Sequence, residues 1–169
     1  MLSSAVNEYL KVYGVLVGKK PLIFTNNDSG YETAIEFKKN GVDPIILDTR
    51  KEPKSEIIDE AKKLDIQIKF SYVVVAAKGY KKVKSAEVAK ISDDKNELGN
   101  LEIIDCDCIC VSGFWTPTIH LASQSGNKTT FNKDIDAFVP GLSKQNETTL
   151  GAASGTYTLD ETLKSSFDS

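Results

Sequence analysis

The chain has 169 residues, with 21 Lys+Arg against 24 Asp+Glu for a formal net charge of −3, and is 40% hydrophobic and 27% charged. A chain this long buries roughly 70% of its unfolded surface, so a full core needs no staples, and near-neutral charge argues against a dedicated nucleic-acid binder. No apolar run reaches the ~18 residues of a membrane span, and Asn7 and Glu8 interrupt the start where a secretory signal would be apolar; the expectation is a soluble cytoplasmic protein.

Val6, Tyr9, Leu10 and Tyr13 recur at helical spacing over 4–13, and Gly14 and Gly18 end that segment. The short apolar run Pro21 to Thr25 predicts a strand. A helix over 29–40 follows, with Tyr31, Ala34, Ile35 and Phe37 on one side and Asn40-Gly41 as its stop. Pro44 to Leu47 reads as the next strand, so the first fifty residues form a βαβ unit with a right-handed crossover.

A second helix is predicted over 55–64, with Ser55 available as its N-cap, and a third strand over 66–70. Three extended stretches follow at 72–77, 83–91 and 101–105, separated by turn-rich gaps. Gaps of that length predict an antiparallel meander, not further crossovers. Asp93-Asp94 reads as a solvated pair in one gap; Lys78, Lys81 and Lys82 around Tyr80 read as a soluble hairpin tip in the other. A buried strand resumes at Cys108 to Val111. From Phe114 the chain is rich in Ser, Thr, Gly and Asn, with regular pieces expected only at 136–139 and, as a helix, 159–167. This tail lacks the apolar surface for a core of its own.

The three cysteines, Cys106, Cys108 and Cys110, are expected on one face of a strand. Small buried strand residues and a redox or metal role both remain open for them. The one histidine, His120, has no readable catalytic partner, and no nucleophile–base pair is visible. No metal site is expected.

The strongest local signal is Thr25-Asn26-Asn27-Asp28-Ser29-Gly30, between a strand end and a helix start. A dinucleotide fold puts its phosphate loop there, with backbone N–H groups at a helix N-terminus facing the pyrophosphate. Aligned on the last glycine of G-x-G-x-x-G, Thr25 and Asn27 replace the first two glycines and Gly30 remains. Asparagine tolerates positive φ, which could preserve the tight turn; a capped turn without phosphate is the alternative, with Asp28 as the cap. Asp48 ends the second strand 18 positions after Gly30, near the ~20 expected of the acid that binds a ribose 2′-hydroxyl. A carboxylate there favours NAD over NADP, and Arg50 could offset that preference or stack on adenine. A solvated Asp48 in a strand-to-loop turn is the other reading.

The stretches Phe24 to Ser29, Asp48-Thr49-Arg50, Val111 to Leu121, Ser123 to Gly126, Phe138 to Gly141 and Gly151 to Tyr157 together resemble the alpha subunit of heterotetrameric sarcosine oxidase. The likeness runs from about Tyr9 to Leu163 in consistent order; Phe114 departs from it, where a second glycine is expected after Gly113. The resemblance implies a pyridine-nucleotide-disulfide-oxidoreductase-like region and an α/β Rossmann-like fold: a parallel sheet, helices on both faces, and an antiparallel β-meander. Residues 1–20 would be a leading helix and linker, 21–113 an NAD-type domain inserted into an FAD-like one, and 114–169 the returning piece of that FAD-like fold. Such enzymes oxidise sarcosine to glycine, using FAD, FMN, NAD and tetrahydrofolate. The implied partners are the remainder of the alpha subunit and the beta, gamma and delta subunits, with no nucleic acid and no membrane. The cofactor-binding residues expected in this chain are Thr25, Asn26, Asn27, Gly30, Asp48, Arg50 and Gly113; no catalytic residue is expected. A domain that keeps the fold without binding a nucleotide, or a piece of another FAD/NAD-dependent amine or imino-acid dehydrogenase, are the alternatives.

Overall fold

Strand β1 (Pro21–Thr25) sends Ile23 to one side and Leu22 and Phe24 to the other, and all three belong to apolar clusters. A strand with no polar face must be covered on both sides, and this period-2 division organises the first unit. The structure, a computed structural model, describes residues 1–92 and 97–167. The loop expected at Asp93-Asp94 lies outside the described residues. The chain divides into two compact units, 1–114 and 115–169.

In the first unit, α1 (Ser3–Lys11), β1, α2 (Ser29–Lys39), β2 (Ile45–Asp48), α3 (Glu56–Lys63) and β3 (Gln67–Phe70) come in succession. The antiparallel strands β4 (Tyr72–Gly79), β5 (Val83–Ile91) and β6 (Leu98–Asp105) follow, and β7 (Cys108–Ser112) closes the unit. The parallel sheet has the order β3-β2-β1-β7 and the meander the order β4-β5-β6. In register, Thr25 lies opposite both Asp48 and Ser112, so the ends of β1, β2 and β7 are level. The α2 stop works as its sequence implies: Gly41 takes φ +76, and Val42 and Gly41 N–H groups return to Phe37 and Lys38 carbonyls at 3.0 Å each.

The helices do not flank both faces of this sheet. Val6, Tyr31, Phe37, Ile58 and Ala61, drawn from all three helices, pack with Ile23, Ile46 and Cys110 on one face. The other face carries Leu22 and Leu47 under Ala86 and Val88 of β5. The meander therefore takes the place of a second helical layer. It can do so because alternate β5 side chains are small and apolar, and each fully buried Leu, Ile or Phe contributes about 1.5–3 kcal/mol whichever element covers it.

The cysteines are divided as well. Cys108 and Cys110 share the helix-side face of β7, whereas Cys106 precedes that strand and joins the meander-side cluster. The chain swings from β6 into β7 at Asp107, whose carboxylate accepts the N–H groups of Lys19 and Lys20 at 2.8 Å each. Strand alternation begins only after that anchor. Ser55 stands before α3 with extended backbone, yet its hydroxyl makes no cap hydrogen bond.

The second unit contains α4 (His120–Gln124), the hairpin β8 (Thr129–Asn132) and β9 (Ala137–Pro140), a 3-10 turn at Gly151–Ala153 and α5 (Leu159–Phe167). Its buried residues include Ala122, Ala137 and Asn127, all small or polar. Asn127 ties two loops together, donating to Glu147 at 2.7 Å and accepting the Lys144 N–H at 2.8 Å. Phe131 and Phe138 meet edge-on across the hairpin, and outside it Trp115 and Tyr157 also meet edge-on. No helix among the described residues is long and apolar enough to cross a membrane.

Candidate functional site

The β1–α2 turn opens at the carboxyl edge of the parallel sheet, where such folds bind ligands. A crevice of about 470 Å³ lies there, lined by Asn26, Thr49, Arg50, Ser71, Ser92 and Phe114 among others.

Gly30 has the close-packing role of a fingerprint's last glycine. A Cβ at this position would lie 2.6 Å from the Cβ and Oγ1 of Thr25, so helix and strand meet there without room for a methyl. The rest of the turn is closed by its own side chains. Thr25 Oγ1 donates to the Asn27 carbonyl at 2.8 Å and accepts the Asn27 N–H at 3.2 Å. Asn27 Oδ1 accepts the N–H of Ser29 at 3.0 Å and its hydroxyl at 2.7 Å. Asn27 Nδ2 reaches across to the Gly113 carbonyl, and the Ser112 hydroxyl donates to Asn27 Oδ1 at 3.1 Å. No residue from Thr25 to Ser29 takes positive φ. Side-chain bonding, not the left-handed backbone expected of asparagine, makes this turn.

Asp48 does not line the crevice. Alternation along β2 places it on the same face as Ile46, beneath α2, where it is wholly buried. Its Oδ2 accepts the Tyr31 hydroxyl at 2.6 Å, and Arg50 supplies its backbone N–H at 2.9 Å and Nη2 at 2.9 Å. Arg50 Nη1 also pairs with Asp28 Oδ1 at 2.8 Å. Burial opposes the Arg50 charge, but Asp48 and Asp28 more than offset it and hold the guanidinium firmly protonated. Burial and the bond to Asp48 push the Tyr31 hydroxyl well above its ordinary pKa, so it remains a donor.

A dinucleotide pyrophosphate does not fit this turn. The Asn27 and Ser29 N–H groups already have acceptors, the Asn27 amide spans to Gly113, and Asp28 adds negative charge. The structure thus gathers Thr25, Asn26, Asn27, Gly30, Asp48, Arg50 and Gly113 at one sheet edge, but most of them bond to one another. Sequence reasoning placed Tyr31 only on an apolar helix face and missed its role; a buried tyrosine's need for a hydroxyl partner was the available signal. Ser112 was missed too. His120 begins α4 and is exposed. No group of three or more His, Cys, Asp or Glu suited to a metal occurs among the described residues.

A βαβ sheet with a level carboxyl edge, backed by a meander, is a fold that this chain shares with disulfide reductases of known structure. T. acidophilum thioredoxin reductase superposes with a TM-score of 0.60 over 90% of this chain and 51% of its own, at 18% identity. No protein-family model matches the chain. In sequence the chain is a relative of the alpha subunits of sarcosine oxidase. It is 34% identical to that subunit from Rhizobium meliloti (strain 1021) over 164 residues, and 30% identical to that from Corynebacterium sp. (strain P-1) over 159. These alignments cover 92% and 93% of this chain but only 15% and 16% of the relatives' length.

Proposed function

We propose that this chain is a nucleotide-fold domain within an oxidoreductase subunit of the sarcosine oxidase alpha type, and that it packs and positions its neighbours without holding NAD at the β1–α2 turn. The observation that carries this reading is Asn27, whose amide occupies the middle of the turn and bonds both the α2 start and the end of β7. In the whole enzyme, sarcosine is demethylated oxidatively to glycine, with oxygen as electron acceptor and tetrahydrofolate taking the one-carbon unit. FAD, FMN and NAD are then held by other segments of alpha and by its partner beta, gamma and delta subunits, in the cytoplasm. No residue of this chain is assigned a chemical step.

Calorimetric titration of the 169-residue chain with NAD tests the proposal. The expected result is no saturable heat at millimolar cofactor. Saturable binding that Arg50→Ala abolishes would overturn it in favour of a second reading, NAD bound in the Arg50 crevice with Asp48 only orienting that arginine. The size of the crevice is what favours this second reading.

A further inference from the structure

We infer that Asp28 is a built-in substitute for the anionic ligand of this fold, its carboxylate sitting where a phosphate would meet the turn's cation. The inference rests on the proposal that the domain holds no dinucleotide, and it adds the Asp28 carboxylate to the Asn27 amide as a cause of that loss.

Aspartate just before a helix ordinarily accepts an N–H of the first turn. Asp28 occupies the residue before the 11-residue α2 but makes no side-chain cap bond. That work has passed to Asn27, which takes the Ser29 N–H, and to the Asp28 backbone carbonyl, which takes the Tyr31 N–H at 3.0 Å. The Asp28 carboxylate is instead turned to Arg50, whose other edge is held by Asp48. An anion at this end of α2 gains from the helix dipole and from the guanidinium, as a ligand phosphate would. Lys51 also lines the crevice, but the Arg50 guanidinium is held by carboxylates at both of its edges. A phosphate entering the crevice therefore meets an arginine whose place beside it is already taken by the Asp28 carboxylate. Residue 28 and not residue 48 is the replaceable partner, because the Asp28 side chain is 43% exposed and that of Asp48 is fully buried.

The test compares the 169-residue chain with Asp28→Asn and with Asn27→Gly/Asp28→Asn, using ADP and inorganic pyrophosphate as probes in calorimetry and thermal melts. The original chain is expected to show no saturable binding. The double variant is expected to bind ADP, with a melting temperature raised by about 3–5 °C at ten times its Kd. That gain should disappear when Arg50→Ala is added. A folded double variant that still ignores both probes, beside an original chain that also ignores them, overturns this inference and leaves the proposed function standing. Binding of ADP by the original chain overturns both. If circular dichroism shows the double variant unfolded, Asp28→Asn alone decides: unchanged indifference to both probes overturns the inference, and new ADP binding supports it.

Discussion

The Tyr31 hydroxyl donates to Asp48 Oδ2 at 2.6 Å, with both residues inaccessible to solvent, and so locks helix α2 to the end of strand β2. A buried carboxylate is tolerated only when its oxygens are bonded; here one phenol and one arginine bond both.

Tyr31→Phe removes that donor while keeping the ring, and should destabilise the chain by about 1.5–3 kcal/mol, the range for a hydrogen bond to a charged group. Urea unfolding gives the value. Arg50→Ala should cost more, because it strips from the buried carboxylate the cation that is bonded to it. The two changes should be non-additive in a double-mutant cycle, since they share Asp48 as partner.

Gly30→Ala places a methyl against Thr25 at 2.6 Å and should destabilise by roughly 1–3 kcal/mol. Thr25→Gly in the same chain removes the obstructing side chain. The double variant should therefore be more stable than additivity predicts, measured by the midpoint of denaturant unfolding.

Burial of Cys106, Cys108 and Cys110 predicts that a thiol reagent such as dithionitrobenzoate labels none of them quickly in the folded chain, and all three in urea. The Cys110 thiol, 3.7 Å from Cys108, is pushed up by that contact and by burial, so it should be the slowest of the three. Labelling rates followed by mass spectrometry check the order.

At Asp107, burial disfavours the charge but the Lys19 and Lys20 N–H groups prevail and hold the carboxyl below the usual carboxylate range. Its folded pKa is depressed, so its stabilising contribution is complete above the ordinary value of about 3.9. That contribution is lost as pH falls from there through the lower folded value. Asp107→Asn should lower stability at pH 7 and flatten the acid limb below about pH 4, seen in urea midpoints across pH.

The elements of the first unit were legible because each announces itself locally. Pro21 to Thr25 is too short and apolar for anything but a buried strand, Asn40-Gly41 stops a helix, and turn-rich gaps separate the meander strands. In the second unit the small helix at His120 and strand β8 carry too few apolar residues to show a period, so only β9 and α5 could be anticipated. The G-x-G-x-x-G comparison located the turn correctly and could not reveal what fills it.

By itself, then, the order of residues determined the βαβ path, the switch to a meander and the likeness to sarcosine oxidase alpha subunits, since short-range periodicity and motif succession need no partner in space. Tertiary structure alone decided that the meander replaces a second layer of helices, that Asp48 faces Tyr31, and that Asp28, Arg50 and Asn27 close the turn. Those outcomes depend on which side chains meet across elements far apart in the chain, and a bond between residues 27 and 113 has no local signature in either.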